Sequence, residues 1–261
     1  MSEFLEIAIE AAKQAGTLLK SKFGKHLEIE KKGEINLVTD ADRESENLIK
    51  EIILSRYPTH GFKAEEGTEI RLDSEYLWFA DPLDGTTNFA HGFPVYCVSI
   101  GLKKGEDLIV GCVYNPNLDE CFTAEHGGGA YLNGKRIQVS SSSILSNSFL
   151  ATGFPYDIRE SNENNIAEFA AFSLSSLAIR RPGSAALDLS YLACGRFDGY
   201  WEQKLSPWDI AAGILLVEEA GGIVTDYCGN RYDIFKGQIL ASNGKIHRGM
   251  INLLDTTRNG K

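Results

Sequence analysis

The stretch from Trp78 to Phe89, WFADPLDGTTNF, constrains the fold of this chain more than any other. The apolar run Tyr76 to Ala80 has the composition of a buried strand, and Asp81 and Asp84 follow it at once. Gly85 permits a backbone conformation that a side chain would forbid, so the turn can direct both carboxylates to one place. Crowded carboxylates repel each other unless a cation neutralises them, and oxygen ligands suit Mg²⁺. The stretch therefore predicts a divalent-metal site where the strand ends.

The same residues also allow a plainer interpretation. Asp84 could cap the turn that begins at Gly85, while Asp81 is simply solvated. The two interpretations differ in whether other acidic residues of the chain reach the same place.

Length and charge limit the remaining possibilities. A chain of 261 residues can form one large domain or two subdomains, and the serine-rich segment 140–148 marks a boundary between approximate subdomains 1–143 and 144–261. Twenty-six basic and thirty-six acidic residues give a net charge of −10, so binding to a nucleic-acid backbone is not expected. An anionic substrate would need a cation at the site, which agrees with the predicted metal.

The sequence shows neither a signal-peptide pattern nor a membrane-span pattern, and together with its cysteine usage this predicts a cytoplasmic protein. The N-terminal segment is amphipathic and carries acidic residues, unlike a signal peptide, and no run of about 18 apolar residues predicts a membrane span. The five cysteines are widely spaced and form no C-x-x-C pair, so we expect reduced thiols.

Periodicity in the first half predicts two helices before the central strand. The first covers residues 3–23, a short strand follows at 26–30, and a second helix runs from Thr39 or Asp40 to Tyr57. The acids at its start, Asp40 and Asp42, are either ordinary first-turn acids or include a carboxylate that orients a metal-bound water.

Short β-patterned segments and paired acids surround the central stretch. Glu65 and Glu66 follow an apolar run and are either a solvated pair or ligands. The triple glycine 127–129 lacks a following Gly-Lys-Ser/Thr, so it indicates a hairpin and not a phosphate loop. The strands predicted in this region are 96–102, 108–114, 121–124 and 130–132.

Strands and helices alternate after about residue 145, which favours an α/β half. The predicted strands are 149–154, 197–201, 223–226 and 240–243, and the predicted helices are 161–177, 185–194 and 207–220, with another after 243. A helix start after Ser184 could bind an anion, with Arg180 or Arg181 either guarding it or lying on the surface. Asp209 at the start of the third helix could be a cap or a ligand.

Four of these blocks, in this order, resemble the inositol monophosphatase family, which belongs to the lithium-sensitive, metal-dependent phosphatases. The resemblance spans essentially the whole chain and implies a layered α-β-α-β-α fold, with the active site between two subdomains, usually in a homodimer. The blocks are Leu37–Asp42, Ala64–Glu66, Asp81–Phe89 and Trp208–Gly213 with Glu219–Gly222. Ala64 replaces a glycine and Leu83 an isoleucine of the usual pattern, and neither supplies a side-chain ligand.

The resemblance also implies roles for particular residues. Two or three Mg²⁺ ions would be held by Glu65, Asp81, the Leu83 carbonyl, Asp84 and Asp209. The catalytic group would be Thr86, Asp42, Glu65 and Lys31, with Thr86 and Asp42 orienting and deprotonating the attacking water. Substrate contacts would come from Asp84, Gly85, Thr86, Ser184, Ala185, Glu202 and Arg180.

The implied reaction is Mg²⁺-dependent hydrolysis of a phosphate monoester, first of all myo-inositol monophosphate to inositol and phosphate. Metal ions can activate the water, clamp the phosphate oxygens and stabilise the leaving alkoxide. Other members of the group accept fructose 1,6-bisphosphate or adenosine 3′,5′-bisphosphate, and some bacterial relatives bind transcription machinery, so a sugar bisphosphatase, a 3′-phosphoadenosine nucleotidase or a regulatory protein are the alternatives.

Overall fold

A computed structural model describes residues 1–25, 29–31 and 37–259, with the backbone alone at 29–31, 37, 38 and 259. The first half of the chain builds an eight-stranded sheet. Its strand order is β10-β9-β8-β7-β6-β5-β3-β4, antiparallel except where β3 pairs with β5. The elements are α1 (Glu3–Lys22), β1 (Ile29–Lys31), β2 (Leu37–Thr39), α2 (Asp40–Arg56), β3 (Gly61–Ala64), β4 (Glu69–Ile70), β5 (Tyr76–Asp84), α3 (Thr86–Ala90), β6 (Cys97–Lys104), β7 (Asp107–Asn115), β8 (Glu120–Glu125), β9 (Gly129–Leu132) and β10 (Lys135–Arg136).

The second half forms a five-stranded mixed sheet with the order β12-β11-β13-β15-β14. Strand β11 runs parallel to both of its neighbours, and β15 runs antiparallel to both of its own. The elements are β11 (Phe149–Thr152), α4 (Ile166–Ser175), β12 (Ala178–Arg180), α5 (Ala185–Ala193), β13 (Gly199–Gln203), α6 (Pro207–Glu219), β14 (Ile223–Thr225), β15 (Gln238–Ser242) and α7 (His247–Asn259).

Strand alternation explains how five layers stack. Successive side chains of a strand point to opposite faces of the sheet. On β5, Trp78 therefore packs with α1 and α2, while Phe79 packs with α5 and α6. On β13, Tyr200 joins that same central core and Trp201 joins a third core with α4 and α7. The order is α1/α2, large sheet, α5/α6, small sheet, α4/α7, which confirms the layered α-β-α-β-α prediction.

Most predicted elements agree with the structure to within a few residues, but two predictions were wrong. The central strand does not end at Ala80: β5 continues to Asp84, with an irregularity in its pairing to β6 between Asp81 and Asp84. The helix predicted for 161–177 is shorter, because Asn165 has a left-handed backbone (φ 66°) and Ser176 an extended one. The residues after it form β12, an edge strand that periodicity did not reveal.

The structure can be compared directly with the predictions about thiols and membrane spans. All five cysteines are free, and the Cys112 and Cys121 thiols are in hydrogen-bond contact at 4.0 Å without a disulfide. None of the described helices has both the length and the apolar character that crossing a bilayer requires. The serine-rich segment 140–148 connects the two sheets, and the division of the chain at residue 143 stays a prediction.

Candidate active site

A cavity of about 690 Å³ lies where the ends of the two sheets and the starts of α5 and α6 meet. It brings together residues from both halves of the chain. Of the residues proposed from sequence, its wall contains Glu65, Asp81, Leu83, Asp84, Gly85, Thr86, Ser184, Ala185, Glu202 and Asp209.

The irregular end of β5 places the first two carboxylates. Asp81 is buried and accepts the Leu83 N–H through Oδ1 at 3.0 Å, which fixes its side chain beside the bend. Gly85 follows with φ +101°, and a Cβ there would lie 2.8 Å from the Val95 carbonyl oxygen. The turn therefore needs glycine both for its conformation and for its space.

Asp84 crosses between the two halves of the molecule instead of capping its own turn. Its Oδ2 accepts hydrogen bonds from Ser184 Oγ (2.8 Å) and from the Ala186 N–H (2.7 Å) at the start of α5. The anion bound at this helix start is thus a carboxylate of the protein itself. Burial raises the pKa of Asp84 to about 6, against the opposing effect of these hydrogen bonds.

Asp209 caps its own helix and also lies on the cavity wall, whereas sequence reasoning treated a cap and a ligand as alternatives. Its Oδ2 accepts the Ser206 N–H at 2.7 Å in a capping box at the start of α6, so the predicted cap is present. The same side chain also lines the cavity. Capping leaves the second carboxylate oxygen free for another ligand, because a carboxylate has two acceptor atoms.

Glu65 reaches the cavity because a second acid holds its turn. The buried Glu46 of α2 accepts the backbone N–H groups of Glu66 and Thr68 (2.7 and 3.2 Å), which shapes the turn after β3. Of the two adjacent glutamates, Glu65 lines the cavity and Glu66 does not. Sequence reasoning missed Glu46, whose only signal was an acid on the buried stripe of a helix.

These carboxylates are electrostatic neighbours despite their separation in sequence. Burial raises the pKa of Asp81 well above its usual range, and the charges of Glu65, Asp84 and Asp209 raise it further. Burial and the first two of those charges likewise raise the pKa of Asp209. Negative charge gathered in this way favours a cation.

The carboxylates surround the cavity without converging on one point. Within the described residues, no three His, Cys, Asp or Glu side chains form a ready metal cluster. Mg²⁺ keeps several waters and commonly binds through one or two carboxylates and substrate phosphate, so the donor set fits this ion without such a cluster.

Thr86, on the cavity wall, and the buried Asp42 form a second group of polar side chains. Thr86 Oγ1 lies 3.1 Å from both Asp42 Oδ1 and the Leu83 carbonyl oxygen, and it can donate to either. Asp42 Oδ2 accepts from the N–H and hydroxyl of Thr39 at 2.8 and 2.6 Å, so Asp42 caps α2 and also faces Thr86. Burial raises the pKa of Asp42 in spite of these bonds.

The opposite wall carries Glu202 on β13. Tyr200 donates its hydroxyl to Glu202, and burial raises the pKa of Glu202 to about 7. A Cβ at Gly153 would lie 2.1 Å from a Glu202 oxygen, so glycine leaves room for this carboxyl group in its present position. Ser184 and Ala185, at the start of α5, flank the same region.

Three predicted residues are not placed on the cavity wall, and the first is Asp42, which is buried and contacts the wall residue Thr86. Arg180 does not line it: its guanidinium lies 4.8 Å from the centre of the Phe149 ring and donates to the Ile179 carbonyl, because the edge strand β12 directs it away. The neighbouring Arg181 lines the cavity instead. The side chain of Lys31 lies outside the described part of the chain.

The cavity also contains residues that the sequence analysis did not select. They include Tyr156, Arg159, Asp188, Lys204 and Trp208. Asp188 could have been found, since it lies one helical turn after Ser184 on the same face of α5. The others lie in turns or beside known site residues, where no periodic signal exists.

Comparison with known proteins agrees with this geometry. The sequence profile of the inositol monophosphatase family matches residues 1–258. An inositol-1-monophosphatase from Synechocystis is 48% identical, with 98% of this chain and 90% of the relative covered, and the "Nus factor SuhB" of Vibrio cholerae is 44% identical with 93% and 92% covered.

A solved structure of an inositol monophosphatase from Anabaena is also similar. It shares 47% identity, superimposes with a TM-score of 0.90, and covers 97% of this chain and 95% of its own. The sequence blocks, the layered fold and these relatives all indicate the same family. The chain is a member of the inositol monophosphatase family, a family of phosphatases.

Proposed function

We propose that this protein hydrolyses phosphate monoesters with Mg²⁺, and that myo-inositol monophosphate is its first substrate. The observation that carries the proposal is the meeting of Glu65, Asp81, Asp84, Asp209 and Thr86 on the wall of one cavity, with the buried Asp42 as the hydrogen-bond partner of Thr86. Acidic groups alone would repel a phosphate ester, so the proposal requires a cation at this wall.

Glu65, Asp81, the Leu83 carbonyl, Asp84 and Asp209 would hold the ions, which we propose number two or three. When bound, Mg²⁺ supplies positive charge that neutralises phosphate oxygens and acidifies water. The protein fixes where that charge sits. Asp84 is held by Ser184 and Ala186, and Asp209 by Ser206, so neither carboxylate has to reorganise when the substrate arrives.

Thr86 and Asp42 would move the proton of the attacking water. The Thr86 hydroxyl can accept a hydrogen bond from a water in the cavity while it donates to Asp42 Oδ1. Asp42, buried and with a raised pKa, is suited to take up a proton, and Thr39 fixes its other oxygen. The Gly85 and Thr86 amides would face the phosphate, and a side-chain role for Lys31 stays a prediction.

Substrate orientation would come from the opposite wall. Glu202 can bind hydroxyl groups of a polyol, and Ser184 and Ala185 lie beside it. A sugar bisphosphate or an adenosine 3′,5′-bisphosphate remains the alternative substrate, with Arg181 placed to contact a second phosphate.

Phosphate release from inositol 1-phosphate, with Mg²⁺ and with a chelator, tests the proposal. We expect hydrolysis with Mg²⁺, none with the chelator, and slower turnover of fructose 1,6-bisphosphate and adenosine 3′,5′-bisphosphate at equal concentration. Faster turnover of either bisphosphate would change the assigned substrate. No hydrolysis of any of the three would overturn the phosphatase proposal for this chain.

A regulatory function is the second candidate, and the name of the Vibrio cholerae relative favours it.

We further propose a cytoplasmic homodimer, as the resemblance implies. The edge strand β12 and the neighbouring Leu174 and Leu177, 92% and 69% exposed, offer an apolar contact surface for a second copy. The molar mass measured by light scattering should be twice the mass of one chain. The Leu174→Glu variant should have a lower molar mass in the same measurement.

A further inference from the structure

Asp188 is a buried carboxyl group that the proposed mechanism does not use. It lies in the first turns of α5, lines the cavity and is only 1% exposed. Its Oδ1 atom has no hydrogen-bond partner among the described residues. A buried polar atom without a partner loses its hydration and gains nothing in return, so its presence calls for an explanation.

The start of α5 does not need Asp188 as a cap. Acids near a helix start usually accept backbone N–H groups or complement the helix dipole. Here Ser184 Oγ accepts the Leu187 N–H at 3.4 Å, and Asp84 accepts the Ala186 N–H at 2.7 Å. The helix start is therefore satisfied by other residues, and Asp188 remains unexplained by local structure.

The neighbours of Asp188 lie on the wall of the substrate cavity. Ser184 is one turn earlier on the same helix face, and Glu202 and Arg181 line the same region. Burial raises the pKa of Asp188, the charges of Glu202 and Asp84 raise it further, and Arg181 opposes them. Two carboxyl groups and one guanidinium thus share this wall.

The two carboxyl groups of this wall suit hydroxyl groups, whereas Arg181 by itself would suit a phosphate. Carboxyl oxygens accept hydrogen bonds from hydroxyls, whereas they repel the oxygens of a phosphate. We propose that Asp188 is a second substrate-binding carboxyl group that accepts a hydrogen bond from a hydroxyl of the polyol beside the one bound by Glu202. This inference rests on the proposed function and adds a specificity-determining residue to it.

The test compares two phosphate esters in the wild type and in Asp188→Leu, which keeps the side-chain volume and removes both acceptors. Inositol 1-phosphate offers several hydroxyls, and 4-nitrophenyl phosphate offers none. We expect KM for inositol 1-phosphate to rise about tenfold or more in the variant, while kcat/KM for the nitrophenyl ester stays within about twofold. Asp188→Asn keeps one acceptor and should fall between wild type and Asp188→Leu.

Glu168→Gln is the matched control, since Glu168 is a buried acid of the same half that lies beside Arg258 and not at the cavity. Glu168→Gln should leave the ratio of kcat/KM for inositol 1-phosphate to kcat/KM for 4-nitrophenyl phosphate unchanged. Equal loss on both esters in Asp188→Leu, or a lower unfolding temperature, would assign Asp188 a structural role and overturn the inference. If wild type fails to hydrolyse inositol 1-phosphate, the proposed function fails; if it succeeds and Asp188→Leu keeps the ratio, only this inference fails.

Discussion

Ser184 donates its hydroxyl to Asp84 across 2.8 Å, although the two residues are 100 positions apart and lie in different halves of the chain. The bond joins the irregular end of β5 to the start of α5. It holds a proposed metal ligand in place without occupying both of its oxygens.

Ser184→Ala should weaken the proposed metal site through Asp84. Hydrogen bonds that orient a ligand typically contribute about tenfold or more to metal affinity. We expect the Mg²⁺ concentration for half-maximal activity to rise several-fold, measured as phosphate release over a Mg²⁺ titration. Ser190→Ala is the matched control, since Ser190 is buried in the same helix and donates to the Ala186 carbonyl and not to Asp84. An unchanged Mg²⁺ requirement in Ser184→Ala would argue against the orienting role.

Asp84→Asn should abolish turnover and preserve the fold. The substitution removes a ligand charge without removing core packing, and the raised pKa of Asp84 shows that burying its charge is unfavourable. We expect the rate to fall by about 10²–10³ or more, with no loss in unfolding temperature. Asp226→Asn, in a turn after β14, should leave the rate unchanged. Activity near that of wild type in Asp84→Asn would refute the ligand role.

Gly85→Ala should destabilise the protein more than Gly92→Ala. Both glycines have positive φ, +101° and +69°, but only at Gly85 would a Cβ meet a neighbour, the Val95 carbonyl oxygen at 2.8 Å. Gly92→Ala therefore measures backbone strain alone, about 1 kcal/mol, and Gly85→Ala adds a steric clash. Urea unfolding of the two variants gives the difference. Equal losses would mean that the turn around Gly85 can relax.

His247 should make stability fall as the pH is lowered. It bridges Thr225 and Ser242 through its two ring nitrogens (3.0 and 2.9 Å), and burial lowers its pKa to about 4. Between about pH 6.5 and 4 the unfolded chain binds a proton that the folded protein does not, so this residue lowers the free energy of unfolding by at most about 3 kcal/mol.

Buried carboxyl groups with raised pKa act in the opposite direction, so the test uses a difference between proteins. Urea unfolding of wild type and His247→Gln at pH 7.5 and pH 5 isolates the histidine. The variant should be less stable than wild type at pH 7.5. The difference in free energy of unfolding between the two proteins should be smaller at pH 5. A difference of equal size at both pH values would contradict the lowered pKa.

Local signals in the sequence predicted several helices and two of the acids, whereas the order of the layers and the full carboxylate set were implied by the resemblance to the family. Periodicity marks α1, α2, α5 and α6, and strand ends mark Asp81 and Asp84. At Asp42, an ordinary first-turn acid and a carboxylate that orients water were treated as alternatives, yet one oxygen caps α2 and the other contacts Thr86. At Asp209, a cap and a ligand were treated as alternatives, yet the side chain caps α6 and also lines the cavity. A sequence pattern cannot show that both occur, since the second partner comes from another element.

Tertiary contacts decided the features that sequence reasoning missed. Arg180 and Arg181 are neighbours in sequence, but pairing of β12 directs only Arg181 to the cavity. Glu46 supports the Glu65 turn from another element; its place on the buried stripe of α2 shows that it faces inward but does not identify that partner. Both cases depend on which side of an element faces a distant partner.

Direct binding of Mg²⁺, measured by titration calorimetry on the wild type and on Asp81→Asn, tests the central claim that these acids gather to hold a cation. The account predicts saturable binding to wild type and a loss of at least about tenfold in affinity in the variant. Equal affinity in both proteins, or no binding to wild type, would contradict it.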